Sequence, residues 1–254
     1  MIPKCVLELP RRLIFDLKRI FERSFSMNYS DNPIFITGCA RSGTSLTAGI
    51  IHLCGAFGGK MRRPNINNQK GMFENIAITQ DIVKSFLKSI GADKMGQNPL
   101  PDPAKVVLKA NILAHQWRQN VISILNSEGY IGDRPFFYKG AKMCLMWEIW
   151  HAAFPNAQWI IVRRNKEDII DSCLRTSFMK AYKDRGGWAK WVDWHERRFK
   201  EMIESKLNAK EIYPEKIILG DFNEIKTVVM EAGLTYNDSK VQSFISPNLW
   251  KGIK

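Results

Sequence analysis

Long apolar runs are missing from this chain of 254 residues, and none approaches the ~18 residues that a membrane-spanning helix needs. The basic N-terminal stretch lacks the apolar centre of a secretion signal. There is no C-x2-C pair. The five cysteines (Cys5, Cys39, Cys54, Cys144 and Cys173) are odd in number, which argues against a zinc site and a closed disulfide frame, and for reduced thiols in a cytoplasmic setting. His52, His115, His151 and His195 lie too far apart to make a local ligand motif, so no metal is expected. Acidic residues are few beside basic ones, 25 against 38, for a formal net charge of +13. That excess favours anionic partners. The basic residues are scattered and form no tail, so no nucleic-acid partner is expected.

What is present reads as strands alternating with helices. Apolar runs at Ile34–Thr37, Pro135–Lys139, Ala157–Val162 and Lys216–Leu219 are expected strands. Helical spacing is read over Thr44–Leu53, about 75–90, Met143–Ala153 and about 222–232. Asp102-Pro103 starts a helix running to about Asn126, and Asn165 caps another that continues to about Phe178. Gly186-Gly187 is read as a break before a tryptophan-rich helix ending near Leu207. This order implies an α/β fold, a three-layer sandwich around a mostly parallel sheet. With 45% hydrophobic residues, 1–254 suits a single domain. Residues 10–25 read as an amphipathic helix that packs on the domain, with membrane contact the lesser alternative.

The most informative stretch is Ile34-Phe35-Ile36-Thr37-Gly38-Cys39-Ala40-Arg41-Ser42-Gly43-Thr44-Ser45-Leu46. It reads as strand, phosphate-binding loop and helix in the frame G-x4-G-x-[ST]. Thr44 stands where the ATP-binding loop has Lys, and the cation has moved to Arg41. Gly38 and Gly43 allow a tight turn. The amides from Ala40 to Ser45, with the Arg41 fork and the Ser42, Thr44 and Ser45 side chains, suit an oxyanion at a helix N-terminus. A second constellation is Val162-Arg163-Arg164-Asn165, with Ser172 eight residues after Arg164. An ATP-hydrolysing relative would end this strand in Asp to hold magnesium. Arg164 binds a phosphate instead, while Arg163 reads as structural.

These elements resemble a sulfotransferase that uses 3′-phosphoadenosine 5′-phosphosulfate, on a P-loop-NTPase-like fold. Gly38 to Leu46 resembles that family's 5′-phosphosulfate loop, and Arg164 with Ser172 its 3′-phosphate motif. Lys70-Gly71-Met72-Phe73-Glu74-Asn75 and Tyr138-Lys139-Gly140-Ala141-Lys142-Met143 resemble two further elements of the bacterial and carbohydrate-type branch. Met72, Gly140, Ala141, Lys142 and Lys166 depart from its pattern. The resemblance implies metal-free transfer of a sulfuryl group to an acceptor hydroxyl of a carbohydrate, lipid or small molecule. It implies Arg41 at the leaving phosphate and Glu74 as general base, with Gly38, Arg41, Ser42, Gly43, Thr44, Ser45, Arg164 and Ser172 binding the nucleotide.

Alternatives stay open at this point. Glu74 is also readable as a carboxylate complementing a helix start. Lys139 and Lys142 are readable as steering the nucleotide, steering an anionic acceptor, or simply exposed. Trp188, Trp191 and Trp194 read first as a core face, with sugar stacking second. His52 and His115 read as structural, and Lys251-Gly252 as a weak 3′-phosphate contact. A P-loop kinase or ATPase and a non-catalytic basic nucleotide- or nucleic-acid-binding protein are the rival functions. Oligomeric state is not legible.

Overall fold

The computed structural model describes residues 31–250; the expected helix over 10–25 and the pair Lys251-Gly252 lie outside the described residues. Four strands form one all-parallel sheet: β1 (Ile34–Gly38), β2 (Phe137–Lys139), β3 (Gln158–Val162) and β4 (Ala209–Ile212), in the order β2-β1-β3-β4. Every residue of β1, β2 and β3 is buried. Continuous burial is what parallel strands covered on both faces require, and it is why these strands read as unbroken apolar runs.

Alternation along the strands divides the core. Phe35, Tyr138, Trp159 and Ile161 face one layer, built from α3 (Pro103–Ser127), α4 (Trp147–Ala153), α5 (Lys166–Arg175) and α6 (Arg185–Glu204). Ile34, Ile36, Phe137, Ile160 and Val162 face the other, with α1 (Thr44–Leu53), α7 (Pro214–Ile218), α8 (Asn223–Glu231) and α9 (Asp238–Phe244). One short helix, α2 (Lys84–Ser89), also packs in the first layer. The result is the three-layer α/β sandwich. The chain leaves β1 towards β2 on one side, then returns to lay β3 on the other. The crevice at the carboxyl ends of β1 and β3 is thus a topological switch point, where open α/β sheets take ligands.

Several local expectations hold. Asp102 caps α3 through the amide of Ala104 at 3.0 Å, and Asn165 caps α5 through the amide of Glu167 at 2.9 Å. Others are corrected. The run Lys216–Leu219 is no strand: Pro214 opens a helical turn there, and the fourth strand is the preceding Ala209–Ile212. That edge strand buries only Ile212 well, so it shows no apolar run to read. Gly186 and Gly187 do not break the chain. They form the first turn of α6, capped by Asp184 through the Gly187 amide at 2.8 Å. The helix expected over 75–90 begins as a π-helical turn, Ile78–Val83, before α2. The helix after Asn165 stops at Arg175. Among the described residues, no helix is long and apolar enough to cross a membrane.

Phe35 is the hub of the larger core. Its ring meets Trp150 and Trp159 edge-on at 5.0 Å, Phe154 at 5.5 Å and Phe136 at 6.5 Å. Aromatic pairs in such geometry add to simple area burial. Phe35→Ala is expected to lower unfolding free energy by about 3–5 kcal/mol, measured by urea denaturation. A loss under about 1 kcal/mol would show that the cluster rearranges around the missing ring.

Candidate active site

β1 ends at Gly38, and the chain turns through the loop into α1. A Cβ at Gly38 would sit 2.5 Å from the Val162 carbonyl oxygen and 2.8 Å from Ser42 Oγ, so only glycine lets β1 and β3 end this close together. Gly43 caps α1 at φ 97°, a left-handed conformation that glycine adopts without a Cβ penalty. Arg41 has φ 73° with no such licence. Its carbonyl is held by the Arg164 Nη1 donor at 2.9 Å. The first amides of α1, at Thr44 and Ser45, lack acceptors within the helix, so this corner presents donors and the positive helix end to a cavity of about 880 Å³.

Arg41, Gly43, Thr44 and Ser45 line that cavity together with Arg164 and Ser172. The two motifs, 131 residues apart between Arg41 and Ser172, meet directly: Arg41 Nε donates to Ser172 Oγ at 3.0 Å. Arg41 Nη1 reaches the Asn67 carbonyl at 3.3 Å, and Ser45 Oγ donates to the Met72 carbonyl at 3.3 Å. The long glycine-rich loop after α1 is thus pinned across the phosphate-loop motif. Arg164 lies under the Trp250 ring, 4.3 Å from its centre, with Nε 3.8 Å from both Asp168 and Glu215. Burial lowers the pKa of the Arg41 guanidinium. A nearby Cys173 opposes this, while Arg164 and Arg175 push it further down. Three guanidiniums crowding one corner repel each other, and a bound anion would relieve that.

Gly38 and Ser42 do not line the cavity. Gly38 is the close-approach point, and the fully buried Ser42 Oγ lies beneath the loop with no hydrogen-bond partner. Arg163 turns away from the site, pairing with Glu196 and Glu211. His52 and His115 are exposed and stand apart from the cavity, so neither is in reach of its chemistry. Asp221, the acid that follows the run Lys216–Leu219, comes after a helical turn and accepts from the Asn223 amide at 3.1 Å, so no strand among the described residues presents it as a magnesium ligand. Trp188 is wholly in the core, whereas Trp191 both packs there and lines the cavity.

Glu74 is nearly buried in the same cavity. Lys139 Nζ donates to its Oε1 at 3.0 Å, and Arg62 Nε is 3.9 Å from Oε2. Burial alone would raise its pKa. The ammoniums of Lys139 and Lys142 and the Arg62 guanidinium outweigh that and hold it below the usual carboxylate range. Lys139 reaches it from the end of β2, beside Ile36 of β1. Arg62, Lys84, Arg175 and His195 also line the cavity, and sequence reasoning did not place them there; Trp191, whose second reading was sugar stacking, lines it too. Arg175 was findable, because it stands one helical turn after Ser172 on the same face. Lys84 was not, because the π-helical turn before it shifts the helix phase.

A parallel α/β sheet with an anion-type loop and a strand-end arginine at its switch point defines a P-loop-like protein. The sulfotransferase family profile matches residues 33–225, and the chain belongs to that family. Its reaction class is therefore sulfuryl transfer, with the acceptor left open, and membership implies 3′-phosphoadenosine 5′-phosphosulfate as donor. Among solved structures, a sulfotransferase from Mycobacterium tuberculosis is similar at 16% identity, covering 84% of this chain and 70% of that one with a TM-score of 0.48. No curated protein matches the chain by sequence.

His195 gives the site a pH signature. It is 1% exposed, its Nδ1 is 2.8 Å from the Trp191 carbonyl, and burial pushes its pKa down to about 4, with Trp191 opposing and Arg198 assisting. The unfolded chain then takes up the proton first. This stability contribution is complete above about pH 6.5 and is lost as pH falls towards 4, by up to roughly 3 kcal/mol. Glu74, also depressed, acts in the same direction. His195→Gln is expected to flatten the fall in unfolding free energy between pH 7 and 4.5, measured in urea. An unchanged slope would mean that His195 takes up its proton as readily in the folded protein as in the unfolded chain.

Proposed function

We propose that this cavity binds 3′-phosphoadenosine 5′-phosphosulfate and passes its sulfuryl group to a hydroxyl of a small molecule or glycan, with residues 1–254 acting as one domain. The observation that carries this reading is the Arg41–Ser172 hydrogen bond, which joins two anion-binding motifs in one cavity. The residues fit the group. Two positive clusters lie at the ends of adjacent strands, and Gly43 leaves the loop open, since a Cβ there would press on Pro214 and Trp250. Arg41, Thr44 and Ser45, with the loop amides, would hold the 5′ end. Arg164, Ser172 and Arg175 would hold the 3′-phosphate. Gly38 and Ser42 shape the loop from beneath, and the buried thiols of Cys39, Cys144 and Cys173 suit a reducing, cytoplasmic setting.

When bound, the nucleotide supplies an activated sulfuryl group. The residues of this chain do the rest. Arg41 and the α1 N-terminus stabilise the charge that grows on the 5′-phosphate oxygen as its bond to sulfur breaks. Glu74, held ionised, orients the acceptor hydroxyl and takes its proton as the new sulfur–oxygen bond completes. Lys139 keeps Glu74 in place and balances its charge before the proton arrives. The products are the sulfated acceptor and adenosine 3′,5′-bisphosphate.

Calorimetry tests the binding half. Adenosine 3′,5′-bisphosphate is expected to bind without added magnesium and more tightly than ATP with magnesium. Arg164→Ala should weaken it by about 10- to 100-fold while changing adenosine 5′-monophosphate little. Equal losses for both would remove Arg164 from the 3′-phosphate. Preference for ATP with magnesium would restore the kinase reading.

Kinetics test Glu74. Glu74→Gln keeps the shape but cannot take a proton, so kcat is expected to fall about 10²- to 10⁴-fold at unchanged nucleotide affinity. A raised acceptor KM at intact kcat would instead make Glu74 a positioning residue. No kinetic change would leave it a helix-start carboxylate.

A further inference from the structure

The cavity wall carries eight cationic side chains and a single carboxylate, Glu74. Seven of the cations fall into two groups, and the eighth, Lys70, donates to the Phe244 carbonyl. Arg41 feels Arg164 and Arg175 at the nucleotide end. Lys84 feels Lys142, Arg62, Lys94 and Glu74. One group lies by Ser172 and the other by Glu74, so two basic clusters line one cavity. The first matches the phosphates of the nucleotide proposed above. The second has no such match.

Around Glu74 stand Arg62, Lys84, Lys139 and Lys142. Lys139 takes up one oxygen of Glu74, and Arg62 lies near the other. The Lys84 ammonium donates only to Gln80 Oε1, at 3.1 Å. The Lys142 ammonium makes no hydrogen bond or ion pair with a described residue. Its stem packs on Gly96, where a Cβ would lie 2.8 Å from Cγ, and Gly96 in turn accepts from Trp191 Nε1 at 2.9 Å. Asp93, the nearest other acid, has its carboxylate engaged with the amides of Met95 and Gln97 at 3.1 and 3.0 Å. One carboxylate cannot neutralise four cations, and half-buried ammoniums without partners are costly. Burial and mutual repulsion lower the pKa of both Lys84 and Lys142.

We propose that the acceptor is itself an anion: a hydroxyl compound whose carboxylate, phosphate or sulfate group pairs with Lys84 and Lys142 while its hydroxyl meets Glu74. This rests on the sulfotransferase reading and names the substrate class of the same site. The bare alternative is a neutral acceptor, and it leaves Lys84 and Lys142 only Glu74, already taken up by Lys139, and the transferring sulfuryl group to face.

The test is binding of matched ligands to the protein saturated with adenosine 3′,5′-bisphosphate, by calorimetry near physiological salt. The probes are glucose, glucuronate, glucose 6-phosphate and glucose 6-sulfate, with 4-hydroxyphenethyl alcohol against 4-hydroxyphenylacetate. At least one charged member is expected to bind ~10-fold or more tightly than its neutral parent, the scale of a charge-assisted contact, and to be the better sulfuryl acceptor. Which anion wins tells carboxylate from phosphate from sulfate. The double variant Lys84→Met, Lys142→Met should abolish that preference while keeping the adenosine bisphosphate affinity and the wild-type melting temperature. Single variants replace it if the pair fails to fold. Charged probes binding no better than neutral ones would overturn the inference, as would a preference that survives the double variant. Failure of the wild type to bind adenosine bisphosphate at all would instead overturn the sulfotransferase reading, and this inference with it.

Discussion

The carbonyl of Val162 and the backbone of Gly38 approach so closely that a single methyl group between them would lie 2.5 Å from the oxygen. That contact fixes the ends of β1 and β3 side by side, where Gly38 pairs with Val162 in register. From there the loop must turn at once, under the strain recorded at Arg41, and deliver α1 with its N-terminus facing the crevice. Arg164, two residues beyond Val162, reaches the carbonyl of Arg41 for the same reason. The phosphate-type loop and the arginine strand are therefore one construction. A change at the strand ends would move both halves of the site together.

Charge is the second organising quantity. Proteins normally bury cations only against carboxylates. Here the cavity wall holds one carboxylate among eight cations, and the folded core supplies the stability to keep them there. The aromatic cluster around Phe35 and the salt bridge of buried Arg198 to Glu148 lie in the same core layer as Trp191, His195 and Ser172. Rigid packing behind the site holds these cations close to one another, with Arg164 near Asp168 and Glu215 and Arg41 bonded to Ser172. The ion pair of Lys139 with Glu74 sits where proton acceptance is needed.

The sequence carried the nucleotide half of the site clearly, because short motifs encode it. Glycine at Gly38 and Gly43, a cation at Arg41 and the Arg164–Ser172 spacing are local requirements, and a local requirement leaves a local trace. Strands β1 and β3 were legible for a similar reason: burial on both faces demands unbroken apolar runs. Strand β4 was not, since an edge strand with the pattern Ala-Lys-Glu-Ile has no such demand. Capping chemistry at Asp102 and Asn165 was read correctly. The glycines at 186 and 187 misled, because Asp184 supplies a cap that makes a first-turn glycine tolerable.

What the sequence could not show is which distant side chains share a wall. Arg62, Lys84, Lys142 and the α6 pair Trp191 and His195 come from four separate segments, and no spacing rule links one segment to another. The sheet order decided that the loop after β2 would lie beside the loop after β1, bringing Lys139 to Glu74. The π-helical turn decided where Lys84 points along its helix. By itself, then, the sequence determined the fold class, the anion-binding loop and the family. The tertiary structure alone decided that one carboxylate would face a crowd of cations, because charge balance in a cavity is a sum over neighbours in space, and neighbours in space are set by topology.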